Sequence, residues 1–125
     1  MVILAGAGRP FVGLKAQSYY TFWHGIASPG QLAESAKEWG AEAVALTDRG
    51  LMAGVPEFIY RCREIGIRPV VGCEFEGTGS GRLVVLARTP DGYRNLLALS
   101  TLASSGLPMG FEVLEGRTAG LFAVV

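Results

Sequence analysis

Histidine is almost absent from this sequence: His24 stands alone among 125 residues. With a single imidazole, nucleophilic triads are hard to build, since His24 is the one histidine that could serve as their base. Cysteine is nearly as scarce, and Cys62 and Cys73 are too few and too isolated for a disulfide framework or a thiolate zinc site. Charge is thin as well. Only 18% of residues are charged, and 11 basic side chains cancel 11 acidic ones, for a formal net charge of 0. A dedicated nucleic-acid binder carries a basic excess, so any strong direct contact with DNA would need a local patch or a larger partner. No apolar run approaches the roughly 18 residues of a membrane span. The opening Met1-Val-Ile-Leu-Ala-Gly6 lacks the basic flank and the length of a signal peptide. No Walker lysine motif and no nucleophile elbow occurs. Gly6-Ala-Gly8 lacks the third glycine of a dinucleotide fingerprint, since Phe11 takes its place behind Pro10, and reads as a plain turn. What remains is one soluble, cytoplasmic domain over residues 1–125, half apolar and long enough to bury a core.

What is present alternates between helical and strand-like periods. Ser28-Pro29-Gly30-Gln31 has the form of a capping box with proline at the first helical position, and Leu32, Ala33, Ala36 and Trp39 recur behind it at helical spacing up to Gly40. Ala43–Thr47 is a short buried-type strand. Val55, Phe58, Ile59, Cys62 and Ile65 share one face of a second helix that Gly66 ends. Ile67–Cys73 and Leu83–Ala87 read as strands, Asp91–Ala103 as a third helix, and Leu121–Val125 as a last strand. The alternation predicts an α/β fold: about five mostly parallel strands with three main flanking helices.

Two segments echo each other. Gly40-Ala-Glu-Ala-Val-Ala-Leu-Thr-Asp48 and Gly66-Ile-Arg-Pro-Val-Val-Gly-Cys-Glu74 both run from helix stop through strand to a carboxylate at the ninth position. Chemistry on such sheets gathers at the carboxyl ends of the strands, which puts Asp48 and Glu74 side by side on the functional rim. The plainer alternative is that each carboxylate caps the turn behind it. His24 beside an aromatic cluster reads as a surface or packing residue. The run Ser18-Tyr-Tyr-Thr-Phe-Trp23 reads either as rings folded onto the sheet edge or as a partner surface. Cys62 is expected in the core. Cys73 points away from Glu74 across the strand, so the two should not share a ligand sphere.

The segments Phe11-Val-Gly-Leu-Lys-Ala-Gln-Ser18, Gly25-Ile-Ala-Ser-Pro29, Ala45-Leu-Thr-Asp-Arg-Gly50, Gly66–Glu74 and Leu83–Leu97 follow in the order and spacing of the PHP domain. The chain resembles the version at the N-terminus of the bacterial DNA polymerase III alpha subunit. Active members of that family hold two or three metal ions in a seven-stranded α/β barrel and hydrolyse phosphoesters, so the resemblance implies the first half of such a barrel. It also exposes departures. Where the family has His-x-His-Ser, this sequence has Lys15-Ala-Gln17-Ser18. The Asp-Gly ligand position is His24-Gly25, and Thr-Asp-His-Gly reads Thr47-Asp48-Arg49-Gly50. Glu74 alone keeps its family form. An ammonium and a guanidinium repel a dication instead of binding it.

The resemblance therefore implies a catalytically degenerate PHP-type domain with no metal cofactor, a scaffold or interaction module in DNA replication or repair. Two arrangements of the cations follow. Lys15 and Arg49 pair with Glu74 and Asp48 in place of metal, or they form an anion site. The enzymatic alternative is a residual phosphoesterase that holds one divalent ion, manganese or zinc, on His24, Asp48 and Glu74. Family domains run to about twice this length, so an open apolar sheet edge and self-association are expected alongside replication and repair proteins as partners.

Overall fold

Two short-range signals set the first helix. Ser28 Oγ accepts from the Gln31 amide at 3.1 Å, and the Ser28 amide donates back to Gln31 Oε1 at 2.8 Å, closing the capping box that starts α1 (Pro29–Glu38). In the computed structural model, which describes residues 11–21, 25–77, 81–106 and 109–124, eight further elements accompany it. They are β1 (Phe11–Gly13), β2 (Ala41–Leu46), α2 (Val55–Ile65), β3 (Arg68–Glu76), β4 (Arg82–Ala87), α3 (Pro90–Ser104), α4 (Phe111–Leu114) and β5 (Leu121–Val124). Gly66 ends α2 in the left-handed conformation, φ +76°, where a Cβ would be strained.

The strands lie in sequence order, β1-β2-β3-β4-β5, and form an α/β half-barrel. β1 pairs parallel with β2 and β2 with β3, whereas β4 runs antiparallel to both of its neighbours. Four of the five strands thus share one direction, as the periodicity predicts, yet two of the four pairings are antiparallel. The cause is the length of the β3–β4 connection. A parallel crossover needs a dozen or more residues, and residues 77–81 allow only a hairpin. β1 and α4 were not predicted as elements; each is too short to carry a period.

Side chains alternate across the sheet. On one side α1 and α2 pack Leu32, Ala36, Phe58 and Cys62 against Val44 and Leu46 of β2, while α3 packs Leu96 and Leu99 against Cys73, Phe75 and Val85. On the other side Ala45, Val84 and Leu86 form a smaller cluster with Val70 against it. By that alternation Glu74 belongs to the Val70 side and Cys73 to the α3 side. Cys62 is core, as expected. Trp39, expected on the apolar face of α1, is 54% exposed, because it is the C-cap and the helix has already turned it outward. Leu97, at helical spacing within α3, lies outside its buried seam. Residues Met1–Pro10 with Gly6 and Gly8, then Phe22, Trp23, His24 and Val125, lie outside the described residues.

β5 is held to the sheet by a close approach. Gly92 in the first turn of α3 lies against the Gly120 backbone, where a Cβ would come within 1.9 Å of the Gly120 carbonyl oxygen. Gly92→Ala is therefore expected to push Gly120 off α3 and to cost about 1–3 kcal/mol. Urea unfolding should show a lower midpoint with an unchanged slope, and an unshifted midpoint would contradict the contact.

Candidate functional site

The Asp48 and Glu74 pair is brought together by the parallel register of β2 and β3. The Glu74 amide donates to the Asp48 carbonyl at 3.0 Å, and the Gly50 amide donates to the Glu74 carbonyl at 2.9 Å. Beyond β1 the chain crosses these strand ends and is pinned at Ala16. The Thr47 amide donates to the Ala16 carbonyl at 2.7 Å, and the Ala16 amide donates to Thr47 Oγ1 at 3.2 Å. With Ala16 fixed and buried, its neighbours Lys15 and Gln17 reach Glu74.

Glu74 is the centre of the cluster. Its side chain is fully buried. Lys15 Nζ sits 2.7 Å from Oε1, and Arg49 Nε donates to Oε2 at 3.1 Å. Gln17 Nε2 also donates to Oε2, at 2.8 Å. Burial by itself would push this carboxyl up; Lys15, Arg49 and Gln17 outweigh it and hold the group below the ordinary glutamate range. The Lys15 contact is an ion pair off the hydrogen-bonding direction, so Oε1 accepts no hydrogen bond among the described residues. Buried Arg49 Nη2 also lacks a partner there. Beyond Arg49 opens a cleft of about 430 Å³, lined by Gly50, Phe75 and Met109 among others.

Asp48 does not join this pairing. The expected ion pair to it is replaced by hydrogen bonds: Oδ1 accepts from the Ser18 amide at 2.6 Å and from Thr21 Oγ1 at 2.8 Å, and Oδ2 accepts from Ser18 Oγ at 2.6 Å. The reason is reach. A tight turn, closed by the Thr21 amide on the Ser18 carbonyl at 2.9 Å, folds both hydroxyls over the carboxylate before either cation can approach. Ser18 and Thr21 were not singled out from the sequence as functional residues; the serine–threonine spacing of such a turn was the available signal.

Cys73 faces the Asp48 backbone, with Sγ 3.3 Å from its carbonyl oxygen, and burial pushes its thiol up to about 12. That burial disfavours the thiolate form a nucleophile needs. Tyr19 is 47% exposed and packs edge-on against Tyr20, ring centroids 5.1 Å apart, so the aromatic run does not fold wholly onto the sheet edge. Among the described residues no group of three or more His, Cys, Asp and Glu side chains is placed to hold a metal ion; His24 lies outside them. No helix among the described residues is long and apolar enough to cross a membrane.

This rim, at the carboxyl ends of β2 and β3, falls within a region with known relatives. Residues 13–122 match the family model of the PHP domain. The chain is 37% identical over 111 residues to the DNA polymerase III subunit alpha of Treponema pallidum (strain Nichols), covering 78% of this chain and 10% of that protein. It is 40% identical over 95 residues to the error-prone DNA polymerase of Corynebacterium efficiens, covering 76% of this chain and 9% of the relative. The chain thus spans about a tenth of the length of these curated relatives. Among solved structures, an amidohydrolase from Chromobacterium violaceum with bound sulfate and no metal superposes with a TM-score of 0.61 at 20% identity, over 81% of this chain and 41% of that one. A candidate metal-dependent phosphoesterase from Bifidobacterium adolescentis gives 0.60 at 20% identity, over 75% and 31%. Those two likenesses concern the fold; the match over residues 13–122 and the polymerase identities establish that the chain belongs to the PHP domain family.

Proposed function

We propose that this chain is a PHP domain of the DNA polymerase III alpha type in which an internal ion-pair cluster takes the place of the metal cluster, and that it serves as a metal-free scaffold or interaction module in DNA replication and repair. The observation that carries this reading is the occupancy of Glu74. Oε2 accepts from both Arg49 and Gln17, and Oε1 is ion-paired to Lys15. Lys15, Arg49 and ionised Glu74 sum to one positive charge, which opposes a dication. Asp48 has both oxygens engaged by three donors. This donor set does not suit a metal ion. The residual phosphoesterase on His24, Asp48 and Glu74 would require both carboxylates to abandon these partners. What supports an interaction role is the apolar surface that Phe122 and Val124 expose, which a second copy or a replication protein would suit.

Elemental analysis after purification with manganese and zinc, run beside a phosphodiester hydrolysis assay, tests the proposal. Metal far below one ion per chain and no hydrolysis above background are expected. The double variant Lys15→His/Arg49→His is expected to gain metal affinity. About one ion per chain in the unmodified protein, with hydrolysis abolished by Glu74→Ala, would overturn the reading. One observation favours a second reading of the same site, as an anion receptor: the buried, unpartnered Nη2 of Arg49. Inorganic phosphate titrated into the same sample should bind if that reading holds, and binding should vanish in Arg49→Gln.

A further inference from the structure

A second cleft, of about 620 Å³, opens between α2 and α3 at the opposite end of the sheet. It borders Pro69 at the start of β3, five residues and about 16 Å along the strand from Glu74. Three guanidiniums from three separate parts of the chain line it. Arg63 comes from the last turn of α2, Arg88 follows β4, and Arg94 lies in α3. Among the described residues no carboxylate lies within ion-pairing distance of Arg63 or Arg88, while Arg94 meets Asp91 at 2.5 Å. Arg88 is steadied by the Phe122 ring, 4.7 Å from its centroid, a partner that positions the guanidinium without neutralising it. The lining also includes Ile59, Val71 and the half-buried ring of Tyr93.

We propose that this cleft binds a nucleoside polyphosphate, with the phosphates on Arg63, Arg88 and Arg94 and the base against Tyr93 and the apolar lining. Guanidinium forks match phosphate oxygens in charge and geometry. The volume falls in the range of small-molecule sites, and the pairing of an apolar lining with a cationic rim fits a ligand that has a flat body and a highly charged tail. A nucleic-acid strand fits less well, because the chain's formal net charge is 0 and offers no extended basic track. The site is independent of the Lys15–Glu74 cluster, so its failure leaves the reading of that cluster intact.

Calorimetric titration of the full chain with adenosine triphosphate is the test, with inorganic phosphate, adenosine and a short single-stranded oligonucleotide as parallel arms. The triphosphate is expected to bind at about 1 mM or tighter. Arg63→Gln should weaken binding about tenfold, and Arg63→Gln/Arg88→Gln should remove it while leaving the unfolding midpoint close to that of the parent. Arg82→Gln, which removes the same charge away from the cleft, should bind as the parent does. Absence of binding, binding undiminished in the double variant, or loss of binding in Lys15→Ala would each overturn the proposal. So would inorganic phosphate or the oligonucleotide binding as tightly as the triphosphate.

Discussion

Asp48→Ala is expected to lower the unfolding free energy by about 3–5 kcal/mol, which for a domain of this size moves the melting midpoint by about 10–20 °C. Asp48 is 1% exposed and accepts three hydrogen bonds from two residues of the crossing segment. Bonds to an ionised acceptor contribute about 1.5–3 kcal/mol each, and they are not additive. Alanine would strand the Ser18 amide and two hydroxyls in a buried space, where unsatisfied polar groups carry the larger cost. Asp48→Asn keeps one carbonyl acceptor and should lose about half as much. Urea unfolding of both variants checks this. A loss below about 1 kcal/mol for alanine would mean that water replaces the carboxylate freely and that the crossing segment is held elsewhere.

Glu74→Ala should cost about as much, again about 3–5 kcal/mol, because it leaves the Arg49 guanidinium mostly buried with no counter-charge. The double replacement Glu74→Leu/Arg49→Leu should recover most of that loss, since apolar side chains of similar volume remove both desolvation penalties at once. Failure of the double variant to recover would mean that the cluster is held by packing and not by charge. The same residue sets an acid dependence. Its carboxyl is held below the unfolded value of about 4.3, so the folded state binds its proton less readily than the unfolded chain does. The stabilisation is fully present above that pH and is lost as pH falls through the lower folded value. Glu74→Gln removes this dependence, and its stability relative to the parent should improve steadily on acidification below about pH 4. A parallel decline of both proteins would contradict it.

The parts of this molecule legible in the sequence are those written within a few residues. The Ser28–Gln31 box, the Gly66 stop and the repeat that ends at Asp48 and Glu74 each lie inside one turn or one strand, and each is found where the pattern placed it. The reversal of β4 was also open to reading, because residues 77–81 are too few for a crossover and three of those five are the glycines Gly77, Gly79 and Gly81. The partners of Asp48 were not legible. Ser18 and Thr21 lie 30 and 27 residues away from it, and their approach depends on the crossing of a segment that has no period of its own. The contacts of Lys15 and Arg49 with Glu74 were suggested through the family resemblance. Without it, two cations and an acid spread over 60 positions form no pattern.

The strand order carries a kinetic consequence. Each strand pairs with its sequence neighbours, so the sheet can assemble by successive short closures, beginning with the β3–β4 hairpin, and no strand must wait for a distant partner. The rim cluster is the exception. Gln17 reaches Glu74 across 57 residues, a closure that becomes cheap only after β1, β2 and β3 have aligned. The closure of Lys15 and Gln17 around Glu74 is therefore expected after the β2–β3 pairing that already sets Arg49 beside it.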